Sequence, residues 1–69
     1  MTSLKEYRKE KKMLQRDVAN KAAISTPYYS LIESGHRLPS FKNARSLAHA
    51  LEISLDELYK LLFKEEGEI

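Results

Sequence analysis

Ser25, Thr26, Tyr28 and Ser30 set hydroxyl groups close together, with the apolar Pro27 and Leu31 among them. The hydroxyls of Thr26 and Ser30 can bond the edges of nucleic-acid bases, and Pro27 or Leu31 can touch a thymine methyl group. Arg, Lys, Asn and Gln make the bidentate contacts that discriminate bases best. None of them occurs in residues 25–34. Direct reading of bases by this stretch would be modest, with duplex shape and deformability adding to it. Further on come Arg37, Ser40, Lys42 and Asn43. They suit phosphate oxygens, Arg37 and Lys42 as cations, Ser40 and Asn43 where a starting helix exposes its N–H groups. Arg16 and Lys21 are candidate phosphate contacts that could equally be solvated surface charge.

Such groups act together only if helices hold them. Period-2 strand patterns are missing, and the chain reads as five short helices. The first starts at Ser3, with Glu6 three residues on as a capping box, and runs to about Lys12. The second spans about Gln15 to Ala22. The third opens after Ser25, with Pro27 in its first turn, where a missing N–H costs nothing. It ends near Ser34, because Gly35 can take a left-handed conformation. Residues 36–39 are a loop, and Ser40 caps a fourth helix on which Phe41, Ala44, Leu47, Ala48 and Leu51 recur at helical spacing. Ser54 and Glu57 form a capping box before the fifth. Residues 1–64 make one domain, and 65–69 an acidic tail that frays.

The spacing of Val18, Ala19, Ala22, Tyr29 and Ile32 lets the second and third helices cross closely, with Ala19 where the axes approach. Tyr29 and Ile32 then point inward. The opposite face carries Pro27, Ser30, Leu31 and Ser34, flanked by Thr26 and Tyr28. Arg8 and Glu33 each put a charge on an otherwise apolar stripe. Neither should be buried alone, so the two are expected to pair. On the fifth helix Leu55, Leu58, Tyr59 and Leu62 form one stripe, widened by Leu61 and Phe63 beyond what a single core contact needs. The surplus at Tyr59, Leu61, Leu62 and Phe63 is a candidate dimer surface; deeper burial of the helix is the alternative. Tyr7, Phe41 and Tyr59 suit the core better than a stacking platform for single strands.

Composition bounds the rest. The 69 residues carry +2 overall, but residues 1–50 hold ten Lys or Arg against four acids and residues 51–69 hold two against six. A basic front suggests a polyanionic partner, and the acidic end should face away from it. There are no cysteines, hence no disulfides and no thiolate metal ligands. No apolar run is long enough for a membrane span, and the N-terminus lacks the apolar core of a secretory signal. The expectation is a soluble, unprocessed chain with no membrane partner. His36 and His49 have no metal-ligand or triad spacing, and the two glycines make no phosphate loop. Neither an enzyme nor a cofactor or metal is expected.

Four segments in register carry a resemblance: Leu4-x-x-Tyr7-Arg8; Gln15-x-x-Val18-Ala19; Ile32-Glu33-x-Gly35-x-x-x-Pro39-Ser40; and Leu47-Ala48-x-Ala50-Leu51-x-Ile53-Ser54-Leu55-Asp56-Glu57-Leu58. Together they resemble the Cro/C1-type (XRE) helix-turn-helix family of bacterial and phage regulators. The resemblance implies an all-α, five-helix lambda-repressor-like domain whose third helix enters the major groove of duplex DNA. It implies a homodimer on a near-palindromic operator, working as a small cytoplasmic transcriptional regulator, in the first instance a repressor. By the same resemblance Thr26, Pro27, Tyr28, Ser30 and Leu31 contact bases. Gln15, Arg16, Ser25, Arg37, Ser40, Lys42 and Asn43 contact phosphates, and Arg8 pairs with Glu33. The length leaves no room for a sensory domain, so no small-molecule ligand is expected. Two residues depart from the pattern. Leu14 stands where a Ser or Thr cap is usual, and Ala23 replaces the turn glycine, at a cost in strain if φ is positive. The alternative is a protein-interaction module that keeps this fold without binding DNA.

Overall fold

The computed structural model describes residues 3–63, which form five helices with no strand among them. These are α1 (Leu4–Glu10), α2 (Gln15–Ala22), α3 (Thr26–Glu33), α4 (Phe41–Leu51) and α5 (Leu55–Phe63). The expected fraying of 65–69 lies outside the described residues.

Serines start four of the five helices. Ser3 Oγ accepts from the Glu6 N–H at 3.2 Å while the Glu6 carboxylate accepts from the Ser3 N–H at 2.9 Å. Ser54 and Glu57 repeat this exchange, both bonds at 3.0 Å. Ser25 Oγ and Ser40 Oγ accept from the N–H groups of Tyr28 and Asn43, each at 3.1 Å. Each such cap is worth about 1 kcal/mol. Leu14, at the start of α2, has no side-chain acceptor. Asp17 supplies half of the missing exchange by accepting from the Leu14 N–H at 2.7 Å.

The first four helices end in one geometry. In α2 the N–H of Ala23 reaches Asn20 O at 3.1 Å and the N–H of Ile24 reaches Ala19 O at 3.0 Å. This double bond pattern, the Schellman motif, needs a left-handed residue. Ala23 provides it at φ 60°, Gly35 at 86°, Lys12 at 59° and Glu52 at 60°. Helix α1 therefore stops at Glu10, two residues before the end expected from sequence, because Lys12 turns the chain there.

Helix α2 packs against α3 and α4, and α5 closes over α4 and α1. Val18, Ala19, Tyr29, Ala44, Leu47, Leu51 and Leu58 are fully buried between them. Ala19, expected where the axes approach, is fully buried. Burying one such leucine contributes about 1.5–3 kcal/mol. Phe41 does not join this core. It is 64% exposed at the first residue of α4, over an open groove beside Ala22 and Ala23. The stripe from Ala44 onward faces α2, but Phe41 lies one turn too early to be covered. Tyr7 and Tyr59 are partly buried against the core.

Candidate nucleic-acid interface

Helix α3 has two faces. Tyr29 and Ile32 are buried; Pro27, Leu31 and Ser34 are exposed, and Thr26, Tyr28 and Ser30 are half-buried at the margin. Pro27 and Leu31 thus stand open to solvent, with the hydroxyls of Thr26, Tyr28 and Ser30 along the edges of that face. Ser25 caps the helix through its oxygen, which leaves its O–H proton available as a donor.

Beneath this face lies an ion pair. Arg8 Nε and Nη2 donate to the two carboxylate oxygens of Glu33 at 2.8 and 3.0 Å, and Arg8 Nη1 donates to Met13 O at 2.8 Å. Both side chains are under a tenth exposed. The pair ties α1 and the α1–α2 loop to the last residue of α3. Burial alone would push the Glu33 carboxyl up, but hydrogen bonds from Arg8 and its neighbours outweigh it and hold the group below the usual glutamate range. The hydrogen bond to Glu33 raises Arg8 further still. The Tyr29 hydroxyl is buried beside this pair without a well-formed hydrogen bond. Burial first, then the Glu33 carboxylate, keeps it firmly protonated.

Gln15 also belongs to this cluster. Its Nε2 donates to Glu33 Oε2 at 3.1 Å. The side chain is therefore held at the start of α2 with its second N–H unused among the described residues. On the other flank of α3, Asn43 Nδ2 donates to the Tyr28 hydroxyl at 3.2 Å. The Arg37 guanidinium sits over the Tyr28 ring, 5.6 Å from its centre. Ser40, Lys42 and Arg16 are exposed. His36 bonds Ser34 across the helix end, Nδ1 to Oγ at 2.8 Å.

Sequence reasoning paired Arg8 with Glu33 because each was a charge on an apolar stripe. It missed the bonds Gln15–Glu33 and Asn43–Tyr28 and the stacking of Arg37 on Tyr28. Each of these joins residues on different elements, and no local pattern marks them. On α5, Leu58 is fully buried, Leu55, Tyr59, Leu61 and Leu62 are partly buried, and Phe63 is 55% exposed. The Phe63 ring stacks on Tyr59 with centroids 6.0 Å apart. Among the described residues, no group of His, Asp or Glu could hold a metal ion, and no helix is long and apolar enough to cross a membrane.

A buried helix, a three-residue turn opened by the left-handed Ala23 and a second helix with one open face, flanked by cations, define a helix-turn-helix module. The helix-turn-helix family model matches residues 4–58, and the chain belongs to this Cro/C1-type family. It is 40% identical over 58 residues to the uncharacterized HTH-type transcriptional regulator YqaE of Bacillus subtilis, covering 84% of this chain and 50% of that protein. It is 38% identical over 55 residues to the HTH-type transcriptional regulator DdrOP3 of Deinococcus deserti, covering 80% and 43%. To the cryptic phage CTXphi transcriptional repressor RstR of Vibrio cholerae it is 42% identical over 55 residues, covering 80% and 49%. The chain thus spans about half the length of the curated relatives it matches. No solved structure matches it. These relatives are regulators and not enzymes.

Proposed function

We propose that this chain binds double-stranded DNA by seating α3 in the major groove, and that it regulates transcription as a homodimeric repressor on a near-palindromic operator. The observation that carries the reading is the open face of α3 from Thr26 to Leu31, standing between two flanks of phosphate-binding chemistry. Thr26, Pro27, Tyr28, Ser30 and Leu31 meet the bases. Gln15, Arg16 and Ser25 on one side, and Arg37, Ser40, Lys42 and Asn43 on the other, meet phosphates. The Arg8–Glu33 pair fixes the angle of α3. Tyr59, Leu61, Leu62 and Phe63 meet the second subunit. The working compartment is the bacterial cytoplasm, where the DNA lies. Support comes from the family, from the named regulators it resembles and from the basic charge of residues 1–50.

Binding to a random-sequence duplex, measured across a range of salt concentrations, tests this. Affinity should fall steeply, with a logarithmic slope near the number of phosphates engaged. A second reading, a protein-interaction module, is favoured by one observation: the open face of α3 holds no Arg, Lys, Asn or Gln. Under that reading the duplex binds weakly or not at all at every salt concentration.

A further inference from the structure

Tyr28 stands at the margin of the α3 face, half-buried, and touches two groups that belong to neither α3 nor each other. Asn43, in the first turn of α4, donates one of its two Nδ2 protons to the Tyr28 hydroxyl at 3.2 Å. Arg37, in the loop between α3 and α4, lies over the Tyr28 ring at 5.6 Å. A carboxamide nitrogen carries two donors, so Asn43 retains one proton for another acceptor. The Tyr28 oxygen, having accepted from Asn43, retains its own O–H proton. The Arg37 guanidinium has no hydrogen-bonded carboxylate among the described residues, and the ring beneath it restricts where the charge can sit. The Arg37 guanidinium and the free Asn43 amide proton are thus gathered at one margin of the module, both against Tyr28.

We propose that Tyr28 is a positioning residue that arranges Arg37 and Asn43 into one clamp for a single DNA backbone phosphate, beside any contact it makes with a base. This rests on the DNA-binding reading above. Arg37 and Asn43 sit on a loop and at a helix start, where a long cation or a lone amide would otherwise rotate freely. Holding them in place before DNA arrives removes part of the ordering cost of binding. The aromatic ring restrains the guanidinium, and the hydroxyl fixes which way the amide points. One side chain therefore preorganises a loop residue and a helix residue together.

The probe is a random-sequence duplex bound by the full chain, with affinity and salt slope measured for single and double variants. Tyr28→Phe keeps the ring under Arg37 and removes the hydroxyl. It should weaken binding by roughly threefold to tenfold, the effect of one hydrogen bond. Asn43→Ala should weaken it at least as much, and the double variant no more than Asn43→Ala alone. Tyr28→Leu should also release Arg37, so that adding Arg37→Ala to it costs nothing further. The salt slope should drop by about one for Tyr28→Leu and stay near wild type for Lys60→Gln, an exposed cation on α5 outside the proposed DNA contacts. Because Tyr28 packs partly against the core, thermal midpoints are measured alongside and binding is compared where every variant is folded. If the Tyr28→Phe and Asn43→Ala losses add, or if Tyr28→Phe binds as wild type, the clamp is wrong while DNA binding stands. Wild-type chain that shows no salt-dependent duplex binding overturns both.

Discussion

Arg8 and Glu33 satisfy each other so fully that removing either leaves a buried charge without its counterpart. Breaking such a pair costs about 3–5 kcal/mol, whereas replacing both partners by apolar groups can be nearly neutral. Arg8→Met and Glu33→Met should therefore each lower the thermal midpoint sharply, and the double variant should recover much of the loss. Exchanging the charges, Arg8→Glu with Glu33→Arg, should likewise fold better than either single reversal. Acid should act on the same pair. The Glu33 carboxyl is held below its unfolded range, so its contribution is fully present above that range and is lost as pH falls through the folded value. Denaturant midpoints measured from neutral pH downward should show the decline, and a Glu33→Gln variant should show less of it. Arg8 titrates far above this window and leaves the acid limb unchanged. This pair was legible in the sequence because a charge on an apolar stripe demands a partner. The attachment of Gln15 to Glu33, and of Asn43 and Arg37 to Tyr28, was not. Those contacts depend on how three elements come together, and residue type alone does not report that.

Helix starts and helix ends were unequally visible. Serines at positions 3, 25, 40 and 54 announced four starts through a specific hydrogen bond, and the structure forms all four. Ends were read at Gly35, which glycine marked, and at Ala22, where Ala23 stands in the turn. Lys12, Ala23 and Glu52 adopt the same left-handed turn with a side chain present, so α1 ran on too far when read from sequence. Phe41 was misplaced for a related reason: periodicity shows which face a residue is on, not whether a partner helix reaches that far. The turn at Ala23 yields a direct prediction. A left-handed alanine costs about 1–2 kcal/mol, and glycine gives back part of that relief through its greater unfolded freedom. Ala23→Gly should raise unfolding stability in urea by roughly 0.5–1 kcal/mol. An unchanged or lower stability would show that the turn is not strained. Within the proposed interface, Lys42→Ala should weaken all duplexes alike, while Thr26→Ala or Ser30→Ala should alter the preferred sequence recovered by selection from random duplexes.

The molecule as a whole carries its charge unevenly, basic through residue 50 and acidic after it. That polarity favours an approach in which α3 leads and α5 trails, away from the phosphates. Helix α5 carries more apolar surface than its own core contact uses, with Phe63 half-exposed on Tyr59. Phe63→Lys should shift the sedimentation equilibrium toward monomer on dilution without unfolding the chain. If the sedimentation of wild type and variant is identical at all concentrations, Phe63 makes no dimer contact. The central claim concerns orientation, and backbone amide resonances of the full chain, followed while duplex DNA is added, report it most directly. The account predicts the largest changes at residues 25–31 and 40–43, with α5 hardly affected. Changes centred on α5, with α3 silent, would contradict it.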